Sequence, residues 1–216
     1  MKSVHVYVEG PSDVAAITEL LRPLFEAKNR QGIAIRFFEA PRGDKKASVI
    51  RKVPLKAVSI LRNEPEAMVI AMPDLYPLNK EVPHTTPDEL FAAIHTEFDK
   101  ALAGNKLSGD RRYKARFKVF CFKYELEALV LAAETILAER LKLKSLTATW
   151  QKPVEDQNNH YPPKQVLQDL FAKHGHHYID TSDAPLILGL ADYHQIADAC
   201  PQQFKPFVEF LESLTP

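Results

Sequence analysis

A buried strand that stops at an acidic residue and turns at once into a helix is the feature that most constrains this fold. Residues 4–8 are a short apolar run rich in β-branched side chains, and the acidic turn EGPSD follows at residues 9–13. Apolar side chains then recur at helical spacing over residues 14–25, with Ser12 or Asp13 as the expected N-cap. Ligands of open α/β sheets bind at the carboxyl ends of the strands. Glu9 is therefore the first candidate functional residue.

The same alternation of strand and helix recurs along the chain. Further buried strands are predicted at residues 33–38, 67–72 and 117–122, and helices at residues 47–61, 86–102 and 124–141. Pro54 is expected to disturb its helix, whereas Thr86, Pro87 and Glu89 predict a capping box. Residues 106–118 are basic and turn-like. This order predicts an α/β fold with a four-stranded parallel, Rossmann-like sheet and helices on both faces.

The chain length suits one α/β domain with a helical elaboration at its C-terminal end. Of 216 residues, 45% are hydrophobic, which is enough for one core. We predict an α/β domain over residues 1–150 and an extension over residues 151–216 that packs on the same domain. The extension is expected to consist of an ordered loop and short helices, at residues 151–163, 164–173, 193–200 and 204–214.

Composition sets limits on location and partners. Lys and Arg total 28 and Asp and Glu total 28, so the charge of the whole chain neither favours nor excludes nucleic acid. No apolar run approaches the ~18 residues that cross a membrane. The early first strand leaves no room for a signal peptide, and Cys121 and Cys200 are too far apart in sequence to form a paired-ligand motif. We expect a soluble cytoplasmic protein with reduced cysteines and no membrane partner.

Acidic residues follow three of the predicted strands, and they are the main chemical signal in the sequence. They are Glu9, Asp74, and Glu125 with Glu127. Because parallel strands end at one edge of a sheet, these carboxylates are expected to converge, and they would repel one another unless they shared protons or a cation. Hard oxygen ligands suit Mg²⁺ or Mn²⁺. One such acid alone is explained by the preference for acids at helix N-termini, but three strand ends together favour a metal site.

Several segments resemble a known family. The Glu-Gly-x-x-Asp turn after the first strand and the aspartate after the third are similar to the TOPRIM domain of bacterial primases, topoisomerases and overcoming-lysogenization-defect nucleases. VYVEGPSD, PDLYP, YELEALVLA and a tail from about residue 155 to residue 214, with Cys200-Pro201-x-x-Phe204, more closely resemble a TOPRIM-like family known as domain of unknown function 4276. The resemblance covers nearly the whole chain.

The resemblance implies roles for individual residues. Glu9 matches the TOPRIM glutamate, proposed as a general acid/base or metal ligand, and Asp74 matches the first aspartate of an Asp-x-Asp motif. The third position of that motif is Tyr76, so whether the site holds one or two metal ions stays open. Glu125 and Glu127 are the candidate replacements. Both reach one ion only if Glu125 is extended, and otherwise Glu127, which the family motif shares, is favoured.

Basic residues supply the remaining candidates. Two clusters of basic residues predict contacts with a phosphate backbone. One follows the second strand and contains Arg42, Lys45, Lys46, Arg51, Lys52 and Lys56, and the other precedes the fourth and contains Lys106, Arg111, Arg112, Lys114, Arg116 and Lys118. Solvated surface charge explains them equally well. In the resembling family a basic residue recurs near Lys164, which implies a role in neutralising transition-state charge, with a plain surface lysine as the alternative.

The leading functional hypothesis is Mg²⁺- or Mn²⁺-dependent phosphodiester hydrolysis, by a DNA or RNA endonuclease that the resemblance places in a phage-defence module. The alternative is a non-catalytic or conditionally active subunit that works with a defence ATPase. A nucleotide-binding protein that uses the same acidic edge ranks last, because the chain has only 7 glycines and no Gly-x-Gly-x-x-Gly motif.

Overall fold

The computed structural model of the chain describes residues 1–78, 82–157 and 160–216, and it contains a four-stranded sheet. The strands are β1 (Lys2–Val8), β2 (Ile33–Glu39), β3 (Met68–Ala71) and β4 (Phe117–Val119). All neighbouring strands are parallel, in the order β2-β1-β3-β4. The predicted α/β fold with a four-stranded parallel sheet is confirmed. β1 lies between two neighbours, which explains why Val4, Val6 and Val8 are buried.

The helices outnumber the strands. They are α1 (Pro11–Leu20), α2 (Arg22–Arg30), α3 (Lys45–Ala47), α4 (Val53–Asn63), α5 (Pro87–Gly104), α6 (Arg111–Arg116), α7 (Glu127–Ala132), α8 (Glu134–Arg140), α9 (Pro163–Lys173), α10 (Asp180–Leu190), α11 (Tyr193–Ala199) and α12 (Phe204–Ser213). A π-helical segment covers Ser48–Lys52, and a 3₁₀ helix covers Val154–Asp156. No helix among the described residues combines the length and the apolar character that crossing a membrane requires.

The chain forms two compact units. Unit 1 contains Met1–Gly10, Leu24–Cys121 and Leu214–Pro216, and therefore the whole sheet. Unit 2 contains Pro11–Pro23 and Phe122–Ser213, and is helical. The domain boundary predicted at residue 150 lies inside unit 2. The sequence predicts a proline-spaced loop at residues 77–86 as well as the loop at residues 151–163. These loops include residues 79–81 and 158–159, which lie outside the described residues.

The capping box of α5 is confirmed. The Thr86 side chain accepts a hydrogen bond from the backbone N of Glu89, and the Glu89 carboxylate accepts one from the backbone N of Thr86. Pro87 occupies the first turn of the helix, where its missing N–H costs nothing. The disturbance predicted near Pro54 takes the form of the π-helical segment before it, since Pro54 cannot donate a hydrogen bond to the carbonyl of Ile50.

The single helix predicted over residues 14–25 is wrong. Its place is taken by α1 and α2, which are separated at Leu21. Pro23 lacks the N–H that a continuous helix would direct to the carbonyl of Glu19, and its ring would collide with that carbonyl. Ser12 and Asp13 are also not N-caps, because α1 already begins at Pro11.

Several other boundaries differ from the prediction. The turn-like segment before β4 contains α6, where Asp110 caps the backbone N of Arg112 at 3.0 Å. β4 is shorter than predicted and ends at Val119. The helix predicted to reach residue 141 is divided at Ala133, whose ψ of 47° lies outside the helical region. α10 was not predicted, because it contains Pro185 and exposes apolar side chains such as Leu190.

Candidate functional site

The acids that follow β1 and β3 come together in unit 1. β1 ends at Val8 and β3 at Ala71, and the hydrogen bond from the backbone N of Met72 to the carbonyl of Tyr7, 2.9 Å, continues the pairing beyond β3. One step further, the backbone N of Asp74 donates to Oε1 of Glu9 at 3.1 Å. The strands thus place two half-buried carboxylate residues side by side at the carboxyl edge of the sheet.

The carboxylate oxygens at this edge are suitable ligands for a hard divalent cation. Magnesium in proteins is commonly held by one or two carboxylates, with water and substrate phosphate completing its octahedral shell. Glu9 and Asp74 provide such carboxylates, while Tyr76, two positions further along, provides none. Among the residues with described positions, no group of three or more His, Cys, Asp or Glu side chains is arranged to hold a metal ion. The fit of unit 1 to Mg²⁺ or Mn²⁺ therefore rests on two carboxylates.

The basic cluster after β2 lies at the same edge, but its members differ in exposure. Arg42 and Lys45 are exposed. Lys46 is only 5% exposed, and its ammonium donates to the carbonyl of Pro77 at 2.5 Å. Lys46 thus connects the loop after β2 to the segment that carries Asp74, and its burial does not favour the predicted contact with nucleic acid.

The basic cluster before β4 lies at the opposite, amino-terminal edge of the sheet. Arg116 of α6 donates to the carbonyl oxygens of Leu61, Glu64 and Ala67, at 3.0–3.1 Å, and so satisfies one carbonyl in the last turn of α4 and two in the segment that follows it. Arg112 forms an ion pair with Asp110 at 2.7 Å. The structure therefore does not bring the two basic clusters to one edge, and a nucleic-acid contact of Arg112 and the exposed Arg111 stays a prediction.

Unit 2 brings together the other predicted site residues. Glu127 is the first residue of α7 and is 7% exposed, and Lys164 is in the first turn of α9. Lys164 Nζ lies 3.6 Å from Oε1 of Glu127, and its backbone N donates to Oε2 of Glu125 at 3.1 Å. Glu125 precedes α7 and is not helical. Glu125 and Glu127 thus form one cluster with Lys164, which is distant from them in sequence.

The electrostatics of this cluster are set by burial. The pKa of Glu127 is raised to about 7, mainly by burial and less by the carboxylates of Glu125 and Asp13, against the opposing charge of Lys164. Burial alone would lower the pKa of Lys164, but its hydrogen bond to Asp180 and the charge of Glu127 outweigh that effect, so the pKa is raised. A cation beside Glu127 would lower the pKa of this carboxyl, because it favours the charged form.

Comparison with known proteins identifies the family. The sequence model described as "Domain of unknown function (DUF4276)" matches residues 8–212. The chain belongs to the DUF4276 family. This confirms the family resemblance inferred from the sequence motifs.

Among solved structures, this DUF4276 chain is similar to the C-terminal region of the Burkholderia pseudomallei OLD protein, with 15% sequence identity and a TM-score of 0.46. The match covers 98% of each of the two chains. No curated protein matches the sequence.

Two residues of the unit 2 cluster in this DUF4276 chain were missed by sequence reasoning. Asp180, the first residue of α10, accepts a hydrogen bond from Lys164 Nζ at 2.6 Å. Tyr178 is 9% exposed, and burial together with the charges of Glu127 and Asp180 raises the pKa of its phenol. Neither residue has a local signal, since Asp180 begins the unpredicted helix α10 and Tyr178 lies just before it. Asp13 did carry one, as the last residue of the Glu-Gly-x-x-Asp turn, and its charge acts on Glu127.

Proposed function

We propose that this DUF4276 chain is a Mg²⁺- or Mn²⁺-dependent phosphodiesterase that cleaves DNA or RNA. The observation that carries the proposal is the hydrogen bond between the backbone of Asp74 and the carboxylate of Glu9 at the carboxyl edge of the sheet. This is the edge at which open α/β folds bind ligands, and carboxylates are the ligands that suit a magnesium ion bound to substrate phosphate. The TOPRIM-like sequence motifs support the same chemistry.

Unit 1 supplies the residues that carry the proposed reaction. Glu9 and Asp74 would hold the ion, which when bound activates water and stabilises the oxygen displaced from phosphorus. Arg42 and Lys45, exposed at the same edge, would contact the phosphate backbone. That Lys164 neutralises negative charge on a phosphate, a role implied by the family resemblance, stays a prediction.

A second metal ion would need a further carboxylate besides those of Glu9 and Asp74. Tyr76 cannot replace the second aspartate of an Asp-x-Asp pair, since a neutral phenol is a poor ligand for magnesium. That Glu125 and Glu127 share an ion with Glu9 and Asp74 stays a prediction, and so does a second ion.

A cleavage assay with matched variants tests the proposal. Purified chain is incubated with supercoiled DNA, linear DNA, single-stranded DNA and RNA, with Mg²⁺, Mn²⁺ or a chelator. We expect metal-dependent cleavage that Glu9→Gln and Asp74→Asn abolish. Glu39→Gln is the control, because Glu39 ends the neighbouring strand β2 and is exposed. Cleavage that persists in the Glu9 and Asp74 variants contradicts their roles.

The alternative function gives a different result in the same assay. A conditionally active subunit of a defence ATPase would cleave nothing alone, and would cleave only when the partner ATPase and ATP are added. A monodisperse chain that cleaves DNA or RNA unaided contradicts this alternative. A phage-defence role then requires protection of cells by the wild-type gene and not by the Glu9→Gln variant.

A further inference from the structure

A chain reversal after α9 brings an unexpected partner to Lys164. α9 ends at Lys173, and the backbone N atoms of His174 and His176 both donate to the carbonyl of Phe171, at 3.0 and 2.9 Å. Between them, Gly175 adopts a φ of +76°, a left-handed conformation that closes helix ends and is least costly for glycine. The chain then turns back instead of continuing along the helix axis.

An aromatic contact fixes the returning segment. The ring of Tyr178 packs edge-on against the ring of Phe171, with centroids 5.3 Å apart and an interplanar angle of 71°. From Phe171 to Lys164 the helix spans about 10 Å, at 1.5 Å per residue. Extended chain rises by about 3.3 Å per residue, so the two steps from Tyr178 to Asp180, together with the long Lys164 side chain, cover this distance.

The carboxylate of Asp180 is held on both sides. Oδ1 accepts a hydrogen bond from the backbone N of Thr181 at 2.7 Å, and Oδ2 accepts one from Lys164 Nζ at 2.6 Å. The ammonium lies a full ångström further from Oε1 of Glu127, at 3.6 Å. Asp180, rather than Glu127, therefore determines where the ammonium group lies.

From this geometry we infer that Asp180 is a positioning residue for Lys164, an inference that rests on the proposed phosphodiesterase function. The ammonium of a lysine is carried on a flexible four-carbon stem. It stabilises the negative charge that develops on a phosphate only if it is held close to that charge. Without Asp180, the ion pair left to the ammonium among the described residues is the one with Glu127. Lys164 would then pair more closely with Glu127 and be less available to substrate.

A double-mutant cycle on turnover tests the inference in the full-length chain. Asp180→Asn should lower kcat by about 10- to 100-fold, as for residues that orient a group in direct contact with the reaction, while KM stays close to the wild-type value. Lys164→Met should lower kcat at least as much, and adding Asp180→Asn to it should cost little more. Asp180→Glu, which keeps the carboxylate, should retain more activity than Asp180→Asn. Asp169→Asn is the control, because Asp169 is an exposed acid on α9, the helix that carries Lys164.

Thermal unfolding of the same variants separates this inference from the proposed function. Non-additive changes in melting temperature for Asp180→Asn and Lys164→Met are expected, since the two groups are in contact. Additive changes overturn the pairing, and a kcat of Asp180→Asn equal to that of the wild type overturns the positioning role. If the wild-type chain cleaves no nucleic acid, alone or with a partner, the proposed function fails, the positioning role fails with it, and the melting temperatures report on the pairing alone.

Discussion

The carboxylate of Glu9 accepts a hydrogen bond from the backbone N of Asp74 at 3.1 Å, although the two residues are 65 positions apart in the sequence. The contact joins the residues that follow β1 and β3, which are adjacent parallel strands. It holds one carboxylate next to the backbone of another acidic residue. The amide stabilises part of the charge of Glu9.

Glu9→Gln and Glu9→Ala should separate charge from structure at this edge. Glutamine keeps an oxygen that can accept from the Asp74 amide, so its stability should stay near that of the wild type. Alanine loses the hydrogen bond, worth about 1 kcal/mol. Both variants should lose metal affinity and about 100-fold or more in cleavage rate. Calorimetric titration with Mn²⁺ and urea unfolding measure the two effects, and Mn²⁺ binding that Glu9→Gln leaves unchanged contradicts the assigned ligand.

Arg42 and Lys45 should contribute to nucleic-acid binding, whereas Lys46 should contribute to stability. Arg42→Ala and Lys45→Ala remove exposed charges, so each should weaken oligonucleotide binding and reduce its dependence on salt concentration. Lys46→Ala removes a buried hydrogen bond to Pro77 and should lower the melting temperature instead. Fluorescence anisotropy at several salt concentrations, with a chelator present, checks the binding. An unchanged salt dependence in Arg42→Ala and Lys45→Ala argues against a backbone contact.

Tyr7 should make the protein less stable at alkaline pH. Burial, and secondarily the charge of Glu64, raises the pKa of Tyr7 from 10 to about 12. Between these values the unfolded chain has released the phenolic proton while the folded chain keeps it. The unfolded state then binds fewer protons, so the free energy of unfolding falls as the pH rises.

Urea unfolding of wild type, Tyr7→Phe and Glu64→Gln across this range measures the effect. Tyr7 contributes a decrease in the free energy of unfolding as the pH rises. This contribution should vanish in Tyr7→Phe, which has no phenolic proton, and become smaller in Glu64→Gln, which lacks the negative charge. Identical slopes in wild type and Tyr7→Phe would show that the phenol of Tyr7 ionises equally in the two states.

The sheet could be predicted because buried parallel strands are short, almost continuous apolar runs. The contact between Glu9 and Asp74 could be predicted for the same reason, since each residue follows such a run, whereas their role as metal ligands stays a prediction. Helix breaks were harder. The separation of α1 from α2 depends on Pro23 alone, and apolar spacing continues across it, so periodicity merged two helices into one.

The cluster of candidate residues in unit 2 depends on contacts that no local pattern encodes. Lys164 meets Asp180 because Gly175 reverses the chain and Tyr178 packs on Phe171. A lone glycine between histidines predicts a turn but not its destination. In the basic cluster before β4, most guanidinium hydrogen bonds of Arg112 and Arg116 go to the backbone or to Asp110. A contact of this cluster with nucleic acid stays a prediction.

Glu155 should be essential to the stability of unit 2. Its side chain, in a residue that is 1% exposed, accepts hydrogen bonds from the backbone N atoms of Gln202, Gln203 and Phe204, at 2.5, 2.8 and 3.0 Å. These N–H groups belong to the start of α12, where helices have unsatisfied donors and favour negative charge. Glu155→Gln turns an NH₂ group towards backbone donors and should cost roughly 2 kcal/mol or more.

Asp156→Asn is the matched control, because Asp156 lies in the same 3₁₀ helix but its side chain is 43% exposed and pairs with Lys123. A half-exposed ion pair contributes less than about 1 kcal/mol. For a chain of this length we expect Glu155→Gln to lower the melting temperature by about 4–8 °C and Asp156→Asn by less than half as much. Differential scanning calorimetry measures both. Equal losses would mean that the start of α12 does not depend on the Glu155 carboxylate.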